Sequence, residues 1–498
     1  MIPLIYLPVL AVASTILYVV GTVVYNVFFH PLREYPGPFL SKATRMVWSW
    51  HGFHGTLLQY ITALHEQYGE VVRIAPDELS YIAAQARDKW PDIYGHRAAN
   101  GTGNLPKEVS KRRKDFNGVP SMISADDPTH RRMRRLQSHM FAEKALAAQE
   151  PLIKEYVDLF ISRLNEKASS PATNVVNMVA WYNYTTFDVL GSLAFGDDFS
   201  CLRSDDLHPW ITNLWRSIKD STLVRVSKQF PYPFDKLVYR LSPQETRAAQ
   251  KMDYDFTSGK ARDRMAQGDT DRADFMSYIL KHNDEKGMTT GEIESNAGLL
   301  ILAGSETTAT FLSGITYNLL RTPEVLRKLT DLVRTTFPTQ EDITIVGIQR
   351  LEYFTACLEE GLRTYPPVPA GMPRVSQGSM INNKYVAPGT IVSVHQWASY
   401  SSPTNFTDAD KFVPERWLKD PPARYAHDNT KVMQPFSVGP RNCLGRNLAY
   451  AEMRLILARV LWNFDLELQL DPKDNWQLQK SYVLWEKGPL PLYLRPEV

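Results

Sequence analysis

The chain holds only three cysteines in 498 residues, Cys201, Cys357 and Cys443, widely spaced and with no CxxC pair. That spacing supports neither a disulfide framework nor a structural zinc site, and it points to a reducing, cytosol-facing environment. Charge shows no bias either: 56 Lys and Arg stand against 54 Asp and Glu, a formal net charge of +2. The basic excess that nucleic-acid binding usually leaves is missing, so nucleic acid is not an expected partner. No GxGxxG follows a strand-like run, no Walker A sequence occurs and no cysteine set matches an iron–sulfur cluster. The chain therefore carries no evident nicotinamide, flavin or iron–sulfur module of its own. Low-complexity linkers, repeats and sharp composition shifts are absent as well.

From Ile2 to Phe29 there is no Asp, Glu, Lys or Arg at all. About twenty residues at roughly 1.5 Å each cross the hydrocarbon core, so this stretch reads as one transmembrane helix. A cleaved signal peptide is the rival, because Ala11-Val12-Ala13 has the small-x-small pattern. Its n-region lacks a basic residue, however, and the apolar run continues past Ala13. Arg33, Lys42 and Arg45 follow the span, which leaves the rest of the chain on the cytosolic side by the positive-inside rule. Tyr35-Pro36-Gly37-Pro38 then predicts a stiff turn. The expected division is a membrane anchor (1–30), a Pro/Gly hinge with a basic flank (31–45) and one catalytic domain (46–498).

Helical patterns dominate that domain. Thr289 and Glu292 form a capping box, and the helix they open runs without proline to Arg321, roughly 45 Å at about 1.5 Å per residue. Its middle, Asn296 to Leu312, is apolar nearly all round and predicts a buried helix. Strand-like pieces are short: one near residue 70, one over 385–394 and one at 482–485. The fold class is mainly α with small β-sheets.

Within PFSVGPRNCLG (435–445), Cys443 sits between Gly439 and Gly445, two places after Arg441. A buried free cysteine is the ordinary reading. The glycines permit close backbone approach, the arginine puts a cation near the thiol, and helical spacing from Ala449 sets the thiol ahead of a helix N-terminus. Cation and helix dipole both favour thiolate. The pattern Phe436-x-x-Gly439-x-Arg441-x-Cys443-x-Gly445 resembles the haem-binding loop of a cytochrome P450, whose cysteine thiolate is the proximal iron ligand.

Further stretches match that family. Glu360 and Arg363 fit its ExxR pair, and Pro414-Glu415-Arg416-Trp417 its PERF-type segment, with Trp where Phe is more usual. The resemblance implies that Glu360, Arg363 and Arg416 brace the haem-side chain. Ala303 to Thr308 on the long helix resemble the oxygen-activation segment, which implies that Gly304 makes room for oxygen and that Glu306 with Thr307 delivers protons, Thr308 being the less apt alcohol. His130, Arg134, Arg374 and Arg441 are implied to hold the haem propionates, with His130 where Trp is common. Arg131, Arg132 and Arg135 read as a solvated basic face or a docking surface for an acidic electron donor.

As a member of that family the chain is expected to adopt the cytochrome P450 fold behind its anchor and to bind haem b. Electrons from NADPH would arrive through cytochrome P450 reductase at the endoplasmic-reticulum membrane, and the product would be an oxidised apolar small molecule. YGHR (94–97), HRRMRR (130–135) and PERW (414–417) together look most like microsomal enzymes of filamentous fungi that tailor secondary metabolites. Substrate-facing segments are expected at 100–125, 206–235, 297–307, 368–372 and 482–485, mostly uncharged apart from KRRK at 111–114. Two rival readings are a haem-thiolate isomerase or dehydratase, which the Glu306-Thr307 pair disfavours, and a non-catalytic membrane haem-binding protein. The N-glycosylation patterns at Asn100, Asn183 and Asn405 are read as chance, because a cytosolic domain does not meet that machinery.

Overall fold

The computed structural model of the chain describes residues 7–82, 89–96, 104–109, 117–230, 234–240, 245–268, 270–471 and 473–497. KRRK at 111–114, Arg97 and the pattern at Asn100 lie outside the described residues.

Helix α1 (Leu7–Val24) runs on as one π-helical turn, Tyr25–Phe29. The stretch Val12–Phe29 is long and apolar enough to cross a membrane and only 6% buried, which suits a lipid-facing segment. The hinge is fixed by contact. Arg73 donates its backbone N–H to the Pro36 carbonyl at 2.7 Å. Gly37 adopts φ +153°, and a Cβ there would stand 2.4 Å from the Arg73 carbonyl oxygen. The turn is therefore stiff because it packs on the first strand as well as because of its prolines.

The helices that build the site are α2 (Asp127–Gln137), α3 (Glu143–Ala168), α4 (Met178–Phe195), α5 (Pro209–Ser227), α6 (Thr290–Arg321), α7 (Glu352–Thr364) and α8 (Arg446–Asn463). The expected capping box opens α6: Thr289 Oγ1 accepts from the Glu292 N–H, and Glu292 Oε2 accepts from the Thr289 N–H at 2.9 Å. α6 lies against the almost wholly buried α4, with the Ser305 hydroxyl on the Thr186 carbonyl and the Tyr182 and Thr316 hydroxyls 2.8 Å apart. This buried, polar-stitched pairing is what an apolar 32-residue helix needs in water.

Strands β1 (Val71–Ala75), β2 (Glu78–Tyr81), β3 (Arg374–Val375) and β4 (Ile391–Val394) form a sheet of order β1-β2-β4-β3. β2 and β4 run parallel, and β3 pairs antiparallel to β4 with Arg374 opposite Val392. A second small pair, β5 (Ser481–Tyr482) and β6 (Leu484–Trp485), forms where the strand-like run near 482 predicts it. Mainly helical architecture with marginal sheets is thus the observed class. α8 begins at Arg446, one turn ahead of the Ala449 start that hydrophobic spacing predicts, because the polar Arg446-Asn447 turn carries no apolar signal. The remaining glycosylation patterns are sealed: Asn183 and Asn405 are buried, and their amides donate to the Val179 and Ser399 carbonyls.

Candidate active site

A cavity of about 360 Å³ lies between α6 and the loop that precedes α8. Ala303, Gly304, Thr307 and Thr308 line it from α6, and Phe436, Cys443 and Gly445 from the opposite wall. Cys201 and Cys357 are buried elsewhere, so Cys443 is the one thiol on this cavity among the described residues.

The loop is shaped by backbone constraints. The Cys443 N–H donates to the Phe436 carbonyl at 2.8 Å, closing the turn. Gly439 adopts φ +76°, and a Cβ there would fall 2.0 Å from the Tyr94 carbonyl oxygen, so only glycine fits. Gly445 differs from its sequence expectation: its φ is −83°, and a Cβ would meet Phe141 at an ordinary 3.5 Å. Nothing among the described residues demands glycine there, and Gly445 lines the cavity. Phe436 packs its ring 5.2 Å from Tyr450 of α8.

Cys443 is exposed on its cavity side, while protein packs densely around the rest of it. This burial raises its pKa, opposed by the Gly445 N–H and the charges of Arg134 and Arg446. Arg441, the cation its sequence position pairs with the thiol, turns away instead. Its guanidinium donates to Asp127 Oδ1 at 2.6 Å and to the Ala125 carbonyl at 2.9 Å. The charge near the sulfur is therefore supplied by Arg134 and Arg446, and the thiol lies ahead of a helix N-terminus as expected, with that terminus at Arg446 rather than Ala449.

Cations gather at one edge of the cavity. Arg134 and Arg441 line it beside the uncharged imidazole of His130, joined by Lys107, which the sequence set only within a substrate-facing segment. Arg134 is clamped by the carbonyl and side chain of Asn442 at 2.8 and 2.6 Å. Burial, then the charges of Arg441, Lys107 and Arg134, lower His130 to about 3, with Asp127 opposing them. Arg374 is buried behind this edge: it does not line the cavity, and its guanidinium lies 5.0 Å over the Tyr94 ring. The remaining helical cations separate. Arg132 chelates Glu292 with both terminal nitrogens, at 2.8 and 2.5 Å, so it ties α2 to the start of α6 and is not part of a free basic face. Arg131 and Arg135 border a surface cleft outside Arg134 and Arg441.

On α6, Thr307 donates its hydroxyl to the Ala303 carbonyl at 2.6 Å, beside the cavity. Gly304 lines the cavity too, and a Cβ on it would press into the Leu190 side chain at 2.9 Å, so its smallness also serves the packing on α4. Glu306 is not on the cavity wall; a 100° step along the helix carries it to another face. There it is ion-paired with Lys487 and accepts the Trp215 indole N–H at 3.0 Å. Glu452 of α8 was not singled out by sequence. It is buried and lines the cavity, one carboxylate oxygen has no partner among the described residues, and burial raises its pKa to about 8 against a hydrogen bond with Thr308.

Beneath the loop, Glu360 is fully buried and saturated. It accepts from Arg363 Nε and a terminal nitrogen, both at 2.8 Å, from the Val413 N–H at 2.8 Å, from Arg416 Nε at 3.3 Å and from the Trp417 indole at 2.8 Å. These donors and charges, Arg363 foremost, hold its pKa below the usual carboxylate range despite burial. Arg416 is paired in turn with the buried Asp428. The tryptophan in place of phenylalanine thus contributes a fifth donor.

The residues present fit a haem: a soft ligand on one wall, cations at one edge for two carboxylates, and apolar walls for a flat ring. Of the expected substrate-facing segments, 297–307 and 368–372 line the cavity, as do described residues of 100–125, whereas no described residue of 206–235 or 482–485 does.

Comparisons agree with this geometry. The cytochrome P450 family model matches residues 36–492. The chain is 45% identical over 491 residues to cytochrome P450 monooxygenase aclL of Aspergillus oryzae, covering 98% of each chain. It is 43% identical to cytochrome P450 monooxygenase lcsI of Purpureocillium lilacinum, over 98% of this chain and 93% of that one. It is 39% identical to averantin hydroxylase of Dothistroma septosporum, over 97% and 90%.

Proposed function

The chain belongs to the cytochrome P450 family, and on that premise we propose that it is a membrane-anchored fungal monooxygenase that hydroxylates an apolar small molecule of secondary metabolism. Residues 1–30 anchor it, 31–45 form the hinge, and 46–498 are the catalytic domain on the cytosolic face of the endoplasmic reticulum. Electrons come from NADPH through cytochrome P450 reductase, which docks on the basic face that includes Arg131 and Arg135. The observation that carries this reading is the placement of Cys443 across an apolar cavity from Ala303, Gly304, Thr307 and Thr308, with cations along one edge.

Haem b, when bound, supplies oxygen activation and C–H oxidation. Cys443 would hold its iron as thiolate, and Arg134 and Arg441, with the neutral imidazole of His130, would hold the propionates, with Arg374 adding charge from behind. Phe436 shields the sulfur side of the cavity, and Gly439 and Gly445 keep the loop close. Thr307 turns its hydroxyl from the Ala303 carbonyl into the cavity and hands on a proton that Glu306 replaces. Leu299, Leu300, Val368 and Met372 make the wall apolar, which excludes water and favours an uncharged substrate. Glu360, Arg363 and Arg416 keep the chain beneath the loop in place.

The hydroxylation itself is carried over from the relative named averantin hydroxylase. The test is to combine the full chain with reductase in detergent micelles and screen apolar polycyclic compounds. Substrate-induced Soret shifts with NADPH-dependent product 16 mass units heavier support the function. Turnover without NADPH would move the assignment to an isomerase or dehydratase, and haem binding with neither response would make it non-catalytic.

A further inference from the structure

Five oxidisable rings from separate segments form an unbroken run beside the cavity. Trp397, in the short helix after β4, meets Trp485 at the end of β6 edge-on, with ring centres 5.2 Å apart. Trp485 stacks on Tyr365, just past α7, at 5.0 Å, and Tyr365 lies 5.5 Å from Trp476. Trp476 is in turn 5.5 Å from Tyr317 of α6. One end of the run adjoins the cavity. Gln396 and Pro367 line it, Trp397 follows Gln396 in the chain, and the Trp485 indole donates to the Pro366 carbonyl at 2.8 Å. The other end lies just under the surface, where Trp476 is 8% exposed beside the exposed Asp474 and Asn475.

The rings are fixed in place as well as close. The Tyr365 hydroxyl donates to Gln479 Oε1 at 2.7 Å, and the Gln479 amide donates to the Trp476 carbonyl at 2.6 Å, so one side chain spaces both residues. The Trp476 indole N–H is shared by the Gly488 and Pro489 carbonyls at 3.2 and 3.1 Å. A Cβ on Gly314 of α6 would fall 2.2 Å from the Tyr365 ring, so that ring is seated against the helix backbone. Core packing alone is the ordinary reason for buried rings. Composition separates this run from that case. Phenylalanine packs as well but lacks the nitrogen or oxygen lone pair that makes indole and phenol easy to oxidise, and none of the five is phenylalanine. The other large ring cluster, Phe199, His208, Trp210 and Phe256, is half phenylalanine.

Resting on the monooxygenase reading above, we propose that the run from Trp397 and Trp485 through Tyr365 to Trp476 carries an unused oxidising equivalent from the haem site to the surface, and so protects the site when no substrate is bound. Hydrogen peroxide, or oxygen already given two electrons by the reductase and two protons, withdraws two electrons from the site and leaves as water. Trp485 returns those electrons one at a time. Each is replaced from Trp476 across the Tyr365 ring, whose phenolic proton stays on its bond to Gln479. A one-electron donor in solution, such as ascorbate, then restores Trp476. In sum, one hydrogen peroxide, two electrons from the donor and two protons from solvent give two waters.

The test mixes the haem-loaded full chain in micelles, without substrate, with hydrogen peroxide and ascorbate. It compares wild type, Trp476→Phe, Trp476→Tyr, Trp485→Phe, Trp485→Tyr and Trp50→Phe, the last removing an exposed indole outside the run. Three readings are taken: the thermal midpoint, the rate at which the Soret band bleaches, and the freeze-quenched electron paramagnetic resonance signal, with ascorbate left out for the signal. Wild type should give a protein radical whose lines narrow when the tryptophans carry deuterated indole. Trp476→Phe and Trp485→Phe should lose that signal at least fivefold and bleach at least threefold faster. Trp476→Tyr should bleach within twofold of wild type, and Trp50→Phe should match wild type. Phenylalanine and tyrosine remove the same indole packing, so a purely structural role predicts equal bleaching for the two. Equal rates in Trp476→Phe and Trp476→Tyr, wild-type rates in both phenylalanine variants, or loss of the radical in Trp50→Phe would overturn the proposal. Should the Trp476 variants not fold, Trp485→Phe against Trp485→Tyr makes the same comparison. A wild type that lacks the thiolate spectrum would instead refute the haem-thiolate reading.

Discussion

Trp417→Phe and Arg363→Leu cut the same buried carboxylate network by different amounts, so their ranking tests how it holds. Trp417→Phe removes one of five donors to Glu360, the 2.8 Å indole bond, and leaves both arginines and the Val413 N–H in place. A hydrogen bond to a charged group contributes about 1.5–3 kcal/mol. The variant should lose about that much and still assemble. Arg363→Leu removes two bonds to the carboxylate and also strips the donors from the Tyr400, Ala409 and Lys411 carbonyls. Each buried acceptor left unmade costs about 1–3 kcal/mol, and breaking a buried ion pair costs about 3–5 kcal/mol. The sum is of the order of the whole stability of a domain, about 5–15 kcal/mol. The assay is the urea midpoint of the haem-loaded chain in micelles, read at the Soret band, together with the yield of haem protein. Trp417→Phe should give a lower midpoint at near-normal yield, and Arg363→Leu almost no haem protein. Equal losses in the two variants, or no loss from Trp417→Phe, would refute the network as described.

Other expectations are independent of that one. Gly439→Ala puts a Cβ against the Tyr94 carbonyl oxygen in a left-handed backbone position; haem incorporation should fall severely, measured as the ratio of Soret to protein absorbance. Glu452 holds its proton to about pH 8 in the folded chain, whereas an unfolded glutamate releases it near its ordinary 4.5. The unfolded state therefore binds fewer protons between those values, and this group lowers stability as pH rises through that window, by up to a few kcal/mol at about 1.4 kcal/mol per unit. Glu452→Gln should match wild type at pH 4 and show a higher thermal midpoint at pH 8; parallel curves across the window would contradict the assignment.

The parts of the molecule written in local sequence were readable: the anchor without charge, the capping box at Thr289 and Glu292, and the one-thiol loop with its glycine at 439. Each depends on neighbours within a few residues, where spacing carries the physics. Contacts between distant segments were not. Lys487 finds Glu306 only because β5 and β6 return to α5 and α6, and Trp417 gains its role from a carboxylate on α7. Lys107 reaches the cationic edge by the same route. Arg441 shows the converse error: two residues from the thiol in sequence, it is claimed by Asp127, and Arg134 from α2 supplies charge in its stead. Arg132 was likewise part of a basic run in sequence and is a partner of Glu292 in space.

The central claim is that Cys443 is the thiolate ligand of haem iron, and the most direct measurement is the carbon monoxide difference spectrum of the reduced, haem-loaded chain. Wild type should give the thiolate-type Soret shift, and Cys443→Ser, folded and carrying haem, should lose it. A wild-type protein that is folded and full of haem yet lacks that band, or a Cys443→Ser protein that retains it, would contradict the claim.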